Sequence, residues 1–344
     1  MNLLRSRFRG CLLGVHLGDT LGSPFEGDAT VAKTVLRNYL NNMLANKGNV
    51  QVFSFTDDTC MTISLAESLL KNNGFNAIEM AKQFTEGYFQ NTRRGYGYNV
   101  VDVFNALHLT NYEDPFLPAQ RQFNGTGSYG NGAAMRIAPA ALFGLSLSDE
   151  QINELVANCS KITHSNAKGI NGAILQCHAI RLALKCDGPL DAIEFVKKLL
   201  NQMRHVEGQT NQSGDIYTTS LEQMLKILEG SHQIKNPTTE QIVNLFGNNV
   251  SAMRSVPSAI YCAIRAQQPL NDFETDNPFL RSLFISIALG GDTDTIASMA
   301  CAIVGALHGD EKIPDILLKH CENPEISSQL ADELYKKIEN EGKG

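Results

Sequence analysis

The chain has 344 residues, 43% hydrophobic and 19% charged, which excludes fibrous and disordered classes and allows a substantial buried core. Its 29 lysines and arginines against 36 aspartates and glutamates give a formal charge of −7, and no Lys/Arg run offsets this locally, which argues against direct DNA or RNA binding. Eight cysteines form no Cys-x-x-Cys pair and no Cys-His cluster with zinc spacing, so soft-metal sites are excluded and reduced, mostly buried thiols are expected.

At the N-terminus Arg5, Arg7 and Arg9 interrupt the apolar residues, so no secretory signal is read, and no later segment offers the roughly 18 apolar residues of a membrane span. The expected compartment is cytosol or nucleus. Three arginines ahead of the first acidic residue, Asp19, leave a mitochondrial presequence as the alternative, against which Arg9-Gly10-Cys11-Leu12 reads as the start of the folded body. The Asn-x-Ser/Thr sequences at Asn124, Asn158 and Asn211 are then incidental.

Apolar residues recurring at three and four predict helices over 60–70, 78–84, 170–180 and 192–196, and strand alternation is scarce. Cap signals stand at Ser148-Asp149-Glu150, Ser165-Asn166 and Thr238-Thr239-Glu240-Gln241. Glycine-rich or polar stretches interrupt the pattern at 93–99, 124–132, 207–215 and 289–295, of which 207–215 reads as a surface excursion rather than a domain boundary. The predicted architecture is all-α, a compact multi-helix protein with one domain over 1–344.

Two acidic stretches carry the chemistry. Thr56-Asp57-Asp58-Thr59 stands immediately before a helical pattern, where either aspartate serves equally well as an ordinary N-cap. Far downstream, Gly290-Gly291-Asp292-Thr293-Asp294-Thr295 ends a loop and opens a helix through Leu307, with small residues at 297, 298, 300, 302, 305 and 306 that permit close helix approach. This half, too, can be a capping loop before a tightly packed core helix. Taken together, the four aspartates form an oxygen-only donor set that would repel itself without cations and suits a pair of Mg²⁺ or Mn²⁺ ions.

Two glycine-rich patches suggest a ligand beside the metals. In Phe123-Asn124-Gly125-Thr126-Gly127-Ser128-Tyr129-Gly130-Asn131-Gly132 the amides suit a pyrophosphate, and Phe123 and Tyr129 suit a base, unless the stretch is an ordinary flexible loop. Arg93-Arg94-Gly95-Tyr96-Gly97-Tyr98-Asn99 offers backbone donors to phosphate, or is a surface turn.

These motifs, in this order, resemble the ADP-ribosylglycohydrolase family, and within it the branch that removes ADP-ribose from serine and degrades poly(ADP-ribose). The resemblance runs from Phe8-Arg9-Gly10-Cys11-Leu12-Leu13-Gly14 and Gly18-Asp19, through both acidic stretches, Arg94-Gly95-Tyr96-Gly97, Ala134-Met135-Arg136 and Thr163-His164-Ser165, to Ser255-Val256-Pro257-Ser258-Ala259-Ile260-Tyr261. It implies an all-helical fold with two Mg²⁺ ions in a central cleft. By that resemblance Thr56, Asp57, Asp58, Asp292, Asp294 and Thr295 match the metal ligands, and Glu26 matches a mobile glutamate near the scissile ribose. Gly95 and Gly97 join the substrate side; Gly127, Ser128, Tyr129, Gly130 and Asn131 match the diphosphate and adenosine contacts, with Phe123 and Tyr129 flanking adenine and His164 at the distal end of the ligand. Alone, His164 reads equally as a structural or capping histidine.

The implied reaction is metal-assisted glycosidic cleavage at C1 of the ribose distal to adenine, with Glu26 or Asp57 as general base, or Glu26 protonating the serine oxygen. Expected partners are ADP-ribosylated proteins and poly(ADP-ribose), with free ADP-ribose as product, no membrane, and a monomeric enzyme. Alternatives are an ADP-ribosyl-arginine hydrolase, a non-catalytic ADP-ribose-binding module and a crystallin-like structural descendant. Leu13, His16 and Thr20-Leu21 depart from the small-residue wall expected of the first helix.

Overall fold

The structure, a computed structural model, describes residues 2–45, 50–209, 214–234 and 236–341. In chain order, α1 (Leu3–Gly22) is followed by a 3₁₀ turn (Ser23–Phe25), α2 (Lys33–Leu44), α3 (Asp57–Asn72), α4 (Ala77–Gln90), α5 (Tyr98–Leu109) and α6 (Leu117–Gly125). Then come α7 (Gly132–Met135), α8 (Ala138–Phe143), α9 (Asp149–Lys161), α10 (Ala167–Leu184), α11 (Ala192–Gln209) and α12 (Ile216–Leu228). The last six are α13 (Thr239–Phe246), α14 (Ala252–Arg265), α15 (Pro278–Ala288), α16 (Thr293–His308), α17 (Asp315–Leu318) and α18 (Glu325–Glu341). Among the described residues extended pairing is confined to two isolated bridges, Phe53 with Cys321 and Gly130 with Ser251, so the fold is all-α as the sequence predicts.

The predicted helices fall within α3, α4, α10 and α11, and the caps are where the side chains indicate. Ser148 with Gln151 and Thr238 with Gln241 form reciprocal capping boxes, while Asn166 caps α10. Helix α11 stays regular to Gln209, so the expected excursion at 207–215 does not begin at 207: Glu207 is buried and accepts the amides of Tyr217 and Thr218 at the start of α12. Its centre, 210–213, lies outside the described residues.

The molecule is built around α16, buried from Thr293 to Leu307 and packed against α1, α10, α14 and α15. A helix apolar on all sides belongs in the core of a large protein. Its contact with α1 is unusually close. Gly10, Gly14, Gly18 and Gly22, four apart on one face of α1, lie against the α16 backbone at Gly305, Cys301, Ala297 and Asp294, where any side-chain carbon would collide with main-chain atoms. This contact holds the C-terminal end of α1 against the N-terminal end of α16. The residues that depart from the small-residue pattern face elsewhere: Leu13 and Leu21 fill the core, and His16 bonds Ser327 Oγ and the Glu322 carbonyl, both at 2.9 Å.

All eight cysteines are free, six of them buried. Burial pushes the thiols of Cys159, Cys177, Cys262 and Cys301 up to about 12, so they are inert core residues. No described helix is long and apolar enough to cross a membrane.

Candidate metal centre and substrate cleft

Near the C-terminal end of α1, Asp19 is fully buried and accepts the amides of Thr56 and Thr59, both at 3.0 Å, and the Thr59 hydroxyl at 2.5 Å. A carboxylate beside the unpaired amides of a helix N-terminus is favourably placed, and here it fixes the start of α3. Thr56 is the N-cap, its hydroxyl accepting from the Asp58 amide at 3.3 Å, so neither aspartate is spent on capping. The Asp57 amide donates to the Arg94 carbonyl at 2.6 Å, while the Arg94 side chain is held by Glu322 at 2.7 and 3.0 Å and lies over the Phe55 ring.

At the head of α16, Asp292 occupies the N-cap position without a side-chain capping bond; its amide donates to the Asn248 carbonyl at 2.8 Å, and one carboxylate oxygen accepts from Asn131 Nδ2 at 2.5 Å. Thr295 Oγ1 donates to Asp58 Oδ2 at 3.2 Å, which joins the two acidic stretches directly. The Glu26 loop is knitted to the same place. Gly27 donates to the Gly291 carbonyl at 2.8 Å and Gly291 to the Asp28 carbonyl at 2.7 Å, leaving Glu26, Asp292 and Asp294 with carboxylate oxygens within 4.8 Å of one another.

Among the described residues no lysine or arginine pairs with these carboxylates. Burial, with Asp19 next, raises Asp57 to about 8; burial, then Asp19 and Asp294, holds Asp58 well above the usual range. Burial, then Asp292, does the same to Asp294, and Glu26 is raised by burial and then by Asp292. Asp58 Oδ1 is buried with no hydrogen-bond partner. An orphaned carboxylate oxygen inside an all-oxygen set that lacks a counter-charge fits a hard divalent cation, which supplies both the missing charge and the missing partner.

These groups form one end of a cavity of about 460 Å³, within the range of small-molecule sites. Thr56, Asp57, Asp58, Asp292, Asp294, Thr295 and Glu26 all line it. Gly95, Gly97 and His164 join them, as do Ser128, Gly130 and Asn131. At its rim Phe123 and Tyr129, 45% and 47% exposed, face each other with ring centroids 6.3 Å apart and planes 29° from parallel. Phe123 and Asn124 adopt left-handed backbone, φ 49° and 57°, where α6 breaks off, and this turn sets the ring at the rim.

Gly127 does not line the cavity. Its amide donates to the Gln122 carbonyl at 3.1 Å, and its α-carbon lies so close to Ser165 and Asn166 that no side chain fits. Asn131 also differs from a free diphosphate contact: its amide donates to the Val250 carbonyl, and its side-chain nitrogen is shared between Asp292 and Ser255. The sequence reading assigned no role to Asp19, Arg136, Asn248 or Ser255, although Asp19, Arg136 and Ser255 sit inside motifs it quotes. For Asp19 and Ser255 the signal is a polar residue in an otherwise apolar or glycine-lined helix face, which identifies burial only once the packing is known; Asn248 and Arg136 stand beyond helix ends and carry no periodic signal.

The fold and the acid-lined cleft define an all-helical protein with a largely buried, oxygen-only candidate metal site opening into a ligand-sized cavity. A sequence model of the ADP-ribosylglycohydrolase family matches residues 1–344, and the chain belongs to that family. ADP-ribosylhydrolase ARH3 of Homo sapiens is 38% identical over 346 residues, spanning 96% of this chain and 93% of its own, and the ADP-ribosylhydrolase ARH3 of Xenopus tropicalis is 38% identical over 98% and 94%. A solved chain of an ADP-ribosylglycohydrolase-related protein complex shares the fold, with TM-score 0.63 at 21% identity over 98% of this chain and 99% of that one.

Proposed function

We propose that the chain hydrolyses the bond at C1 of the ribose distal to adenine, releasing ADP-ribose from serine-linked ADP-ribosylated proteins and from poly(ADP-ribose). Thr56, Asp57, Asp58, Asp292, Asp294 and Thr295 would hold two Mg²⁺ ions, replaceable by Mn²⁺. The observation that carries this is the buried, unpartnered Asp58 Oδ1 in a carboxylate set joined through Thr295, at one end of a cavity whose rim carries the Phe123–Tyr129 pair. Bound divalent ions in such a set supply electrostatic stabilisation to the ribose hydroxyls and to water.

The chain's own groups do the rest. Glu26, its carboxyl raised above the usual range by burial and then by Asp292, is placed to exchange a proton either with the attacking water or with the leaving oxygen. Asp19, by pinning the start of α3, keeps Asp57 and Asp58 aimed into the cleft. Phe123 and Tyr129 locate the adenine, and the glycines at 95, 97 and 130 allow the diphosphate close to the backbone. Full cleavage then needs no covalent glycosyl intermediate, because the carboxylates serve to orient water rather than to attack.

The test is to incubate the purified chain with a serine-linked ADP-ribosyl peptide, an arginine-linked peptide and poly(ADP-ribose), with Mg²⁺ or excess chelator, and to quantify ADP-ribose. Mg²⁺-dependent release from the serine peptide and the polymer, but not from the arginine peptide, is the expected result. Release from the arginine peptide alone would overturn the substrate assignment. Binding of ADP-ribose without any release would turn the cleft into a recognition site.

A further inference from the structure

In the inner wall of the cleft stands an arginine with no exposed surface, paired with no carboxylate among the described residues. Arg136 is 0% exposed; Nη1 donates to the Gly132 carbonyl at 2.7 Å, Nη2 to the Cys159 carbonyl at 3.3 Å and to Thr163 Oγ1 at 2.8 Å, and the guanidinium lies 4.6 Å from the Phe84 ring centroid. A guanidinium has donors and no acceptor, so Thr163 Oγ1 must be accepting. The same oxygen is 2.7 Å from His164 Nδ1, and Thr163 is itself 0% exposed with no third side-chain partner. Its hydroxyl hydrogen has one acceptor within reach, the Nδ1 lone pair. The opposite assignment, with Nδ1–H donating to the threonine, would strand the hydroxyl hydrogen where no water can reach it.

With Nδ1 accepting, the hydrogen of a neutral imidazole is on Nε2. Burial, and then the neighbouring Arg136 charge, lower the His164 pKa to about 3, so the ring is neutral at any working pH. Its Cε1–Nε2 edge lies against Gly130 and Gly132, where a side chain on Gly132 would collide with it, and His164 lines the cavity. Nε2 has no protein partner among the described residues.

We infer that Arg136 and Thr163 are positioning residues: the donor chain Arg136 to Thr163 to His164 locks His164 as the Nε2–H tautomer, so that it donates into the cleft to an acceptor oxygen of the ADP-ribosyl group. The identity of that acceptor rests on the proposed function; the donor chain does not. The other tautomer would turn a lone pair into the cleft, where it could accept from a ribose hydroxyl but would repel a diphosphate oxygen, so the lock selects an acceptor at this position.

The experiment is a long-range ¹H–¹⁵N spectrum of the ¹⁵N-histidine-labelled chain, with His164→Gln to assign the resonance, alongside calorimetric titration of ADP-ribose in Mg²⁺. Wild type is expected to show a protonated Nε2 and a bare Nδ1. Thr163→Val, close in shape and checked for folding by urea melting, is expected to gain Nδ1–H signal and to bind ADP-ribose about tenfold more weakly. Thr163→Ser should behave as wild type. A protonated Nδ1 in wild type, or a Thr163→Val spectrum and affinity indistinguishable from wild type, would overturn the inference. A wild-type protein that binds no ADP-ribose would sink the proposed ligand, while the tautomer spectrum still decides the donor chain.

Discussion

Asn131 Nδ2 lies 2.5 Å from Asp292 Oδ2, so the glycine-rich loop that forms one wall of the cleft also orients a carboxylate of the candidate metal centre. The second hydrogen of the same amide goes to Ser255 Oγ at 3.1 Å on α14, and the loop backbone is fixed by Asn131 N to Val250 O at 2.9 Å. Replacing Asn131 with alanine leaves the ligand set intact and frees Asp292 to rotate. Groups that orient a ligand in this way are worth about 10–100-fold in metal affinity. Asn131→Ala is therefore expected to need roughly tenfold more Mg²⁺ for half-maximal turnover, with activity largely restored at saturation. A Mg²⁺ titration that superposes on wild type would show that Asp292 does not depend on this contact.

The two ends of the molecule respond to pH with opposite sign. In the cleft, Asp57 is raised from 3.8 to about 8, so the metal-free native state binds protons that the unfolded chain has already lost across that interval. Stability falls wherever the native state holds the extra protons as pH rises. His16, His164, His178 and His308 have their pKa lowered by burial and act in the opposite sense below the ordinary histidine range, so in chelator the melting temperature should decline between about pH 7 and pH 8; Mg²⁺ should flatten the decline, and Asp294→Asn should reduce it. Asp332 behaves the other way. Hydrogen bonds from Arg5 and Arg9, at 2.6–2.9 Å, hold its carboxyl below the usual range and tie α1 to α18. Its contribution is complete above the unfolded carboxylate pKa and is lost as pH falls, so Asp332→Asn should lower the melting temperature at pH 7 and make little difference in strong acid. A metal-free protein more stable at pH 8 than at about pH 7 would refute the account of the cleft.

The face of α1 that meets α16 admits no side chain. Gly14 lies against the Cys301 carbonyl and Gly18 against the Ala297 carbonyl, both main-chain atoms of a buried helix. Overpacking a core typically costs about 1–3 kcal/mol, and here the backbone itself must move. Gly14→Ala is expected to reach or exceed the top of that range and, by shifting the end of α16, to weaken metal binding as well. Gly208 is the control: it is a helical glycine with nothing among the described residues within 4 Å of an added carbon, and Gly208→Ala should be neutral or stabilise by up to about 1 kcal/mol. Equal urea midpoints for the two variants would contradict the packing described here.

Gly10, Gly14, Gly18 and Gly22 stand four apart in the sequence, yet periodicity of apolar residues passes over them, because glycine counts as a helix breaker until a second backbone is known to need the space. The acidic stretches, the caps at Ser148, Asn166 and Thr238, and the aromatics at Phe123 and Tyr129 are legible because their chemistry is local. What joins them is not. Thr295 reaches Asp58 across 237 positions, and Asp19 reaches Thr59 across 40. Gly127 differs from its neighbours: its residue type suggests a ligand contact, while in the fold it makes the close approach to Ser165. Sequence pattern finds chemistry-bearing residues; packing decides which of them face the same space.

Binding and turnover should separate between Phe123 and Asp294. Phe123 is at the rim, half exposed, so in the proposed substrate orientation its ring would contribute equally to bound substrate and transition state. Loss of uniform binding raises KM and leaves kcat, whereas loss of a group that acts on the reacting centre lowers kcat. Stacking of a base on an aromatic ring is worth about 1–3 kcal/mol, so Phe123→Ala is expected to raise KM for an ADP-ribosyl peptide roughly tenfold or more at near-normal kcat. Asp294→Asn should show the converse. Backbone strain supplies a control for Phe123. Its φ of 49° costs an L-residue about 1–2 kcal/mol relative to glycine, so Phe123→Gly should melt higher than Phe123→Ala while binding just as weakly. Variants that lose kcat rather than affinity would place Phe123 at the reacting end and reverse the orientation of the substrate in the cleft.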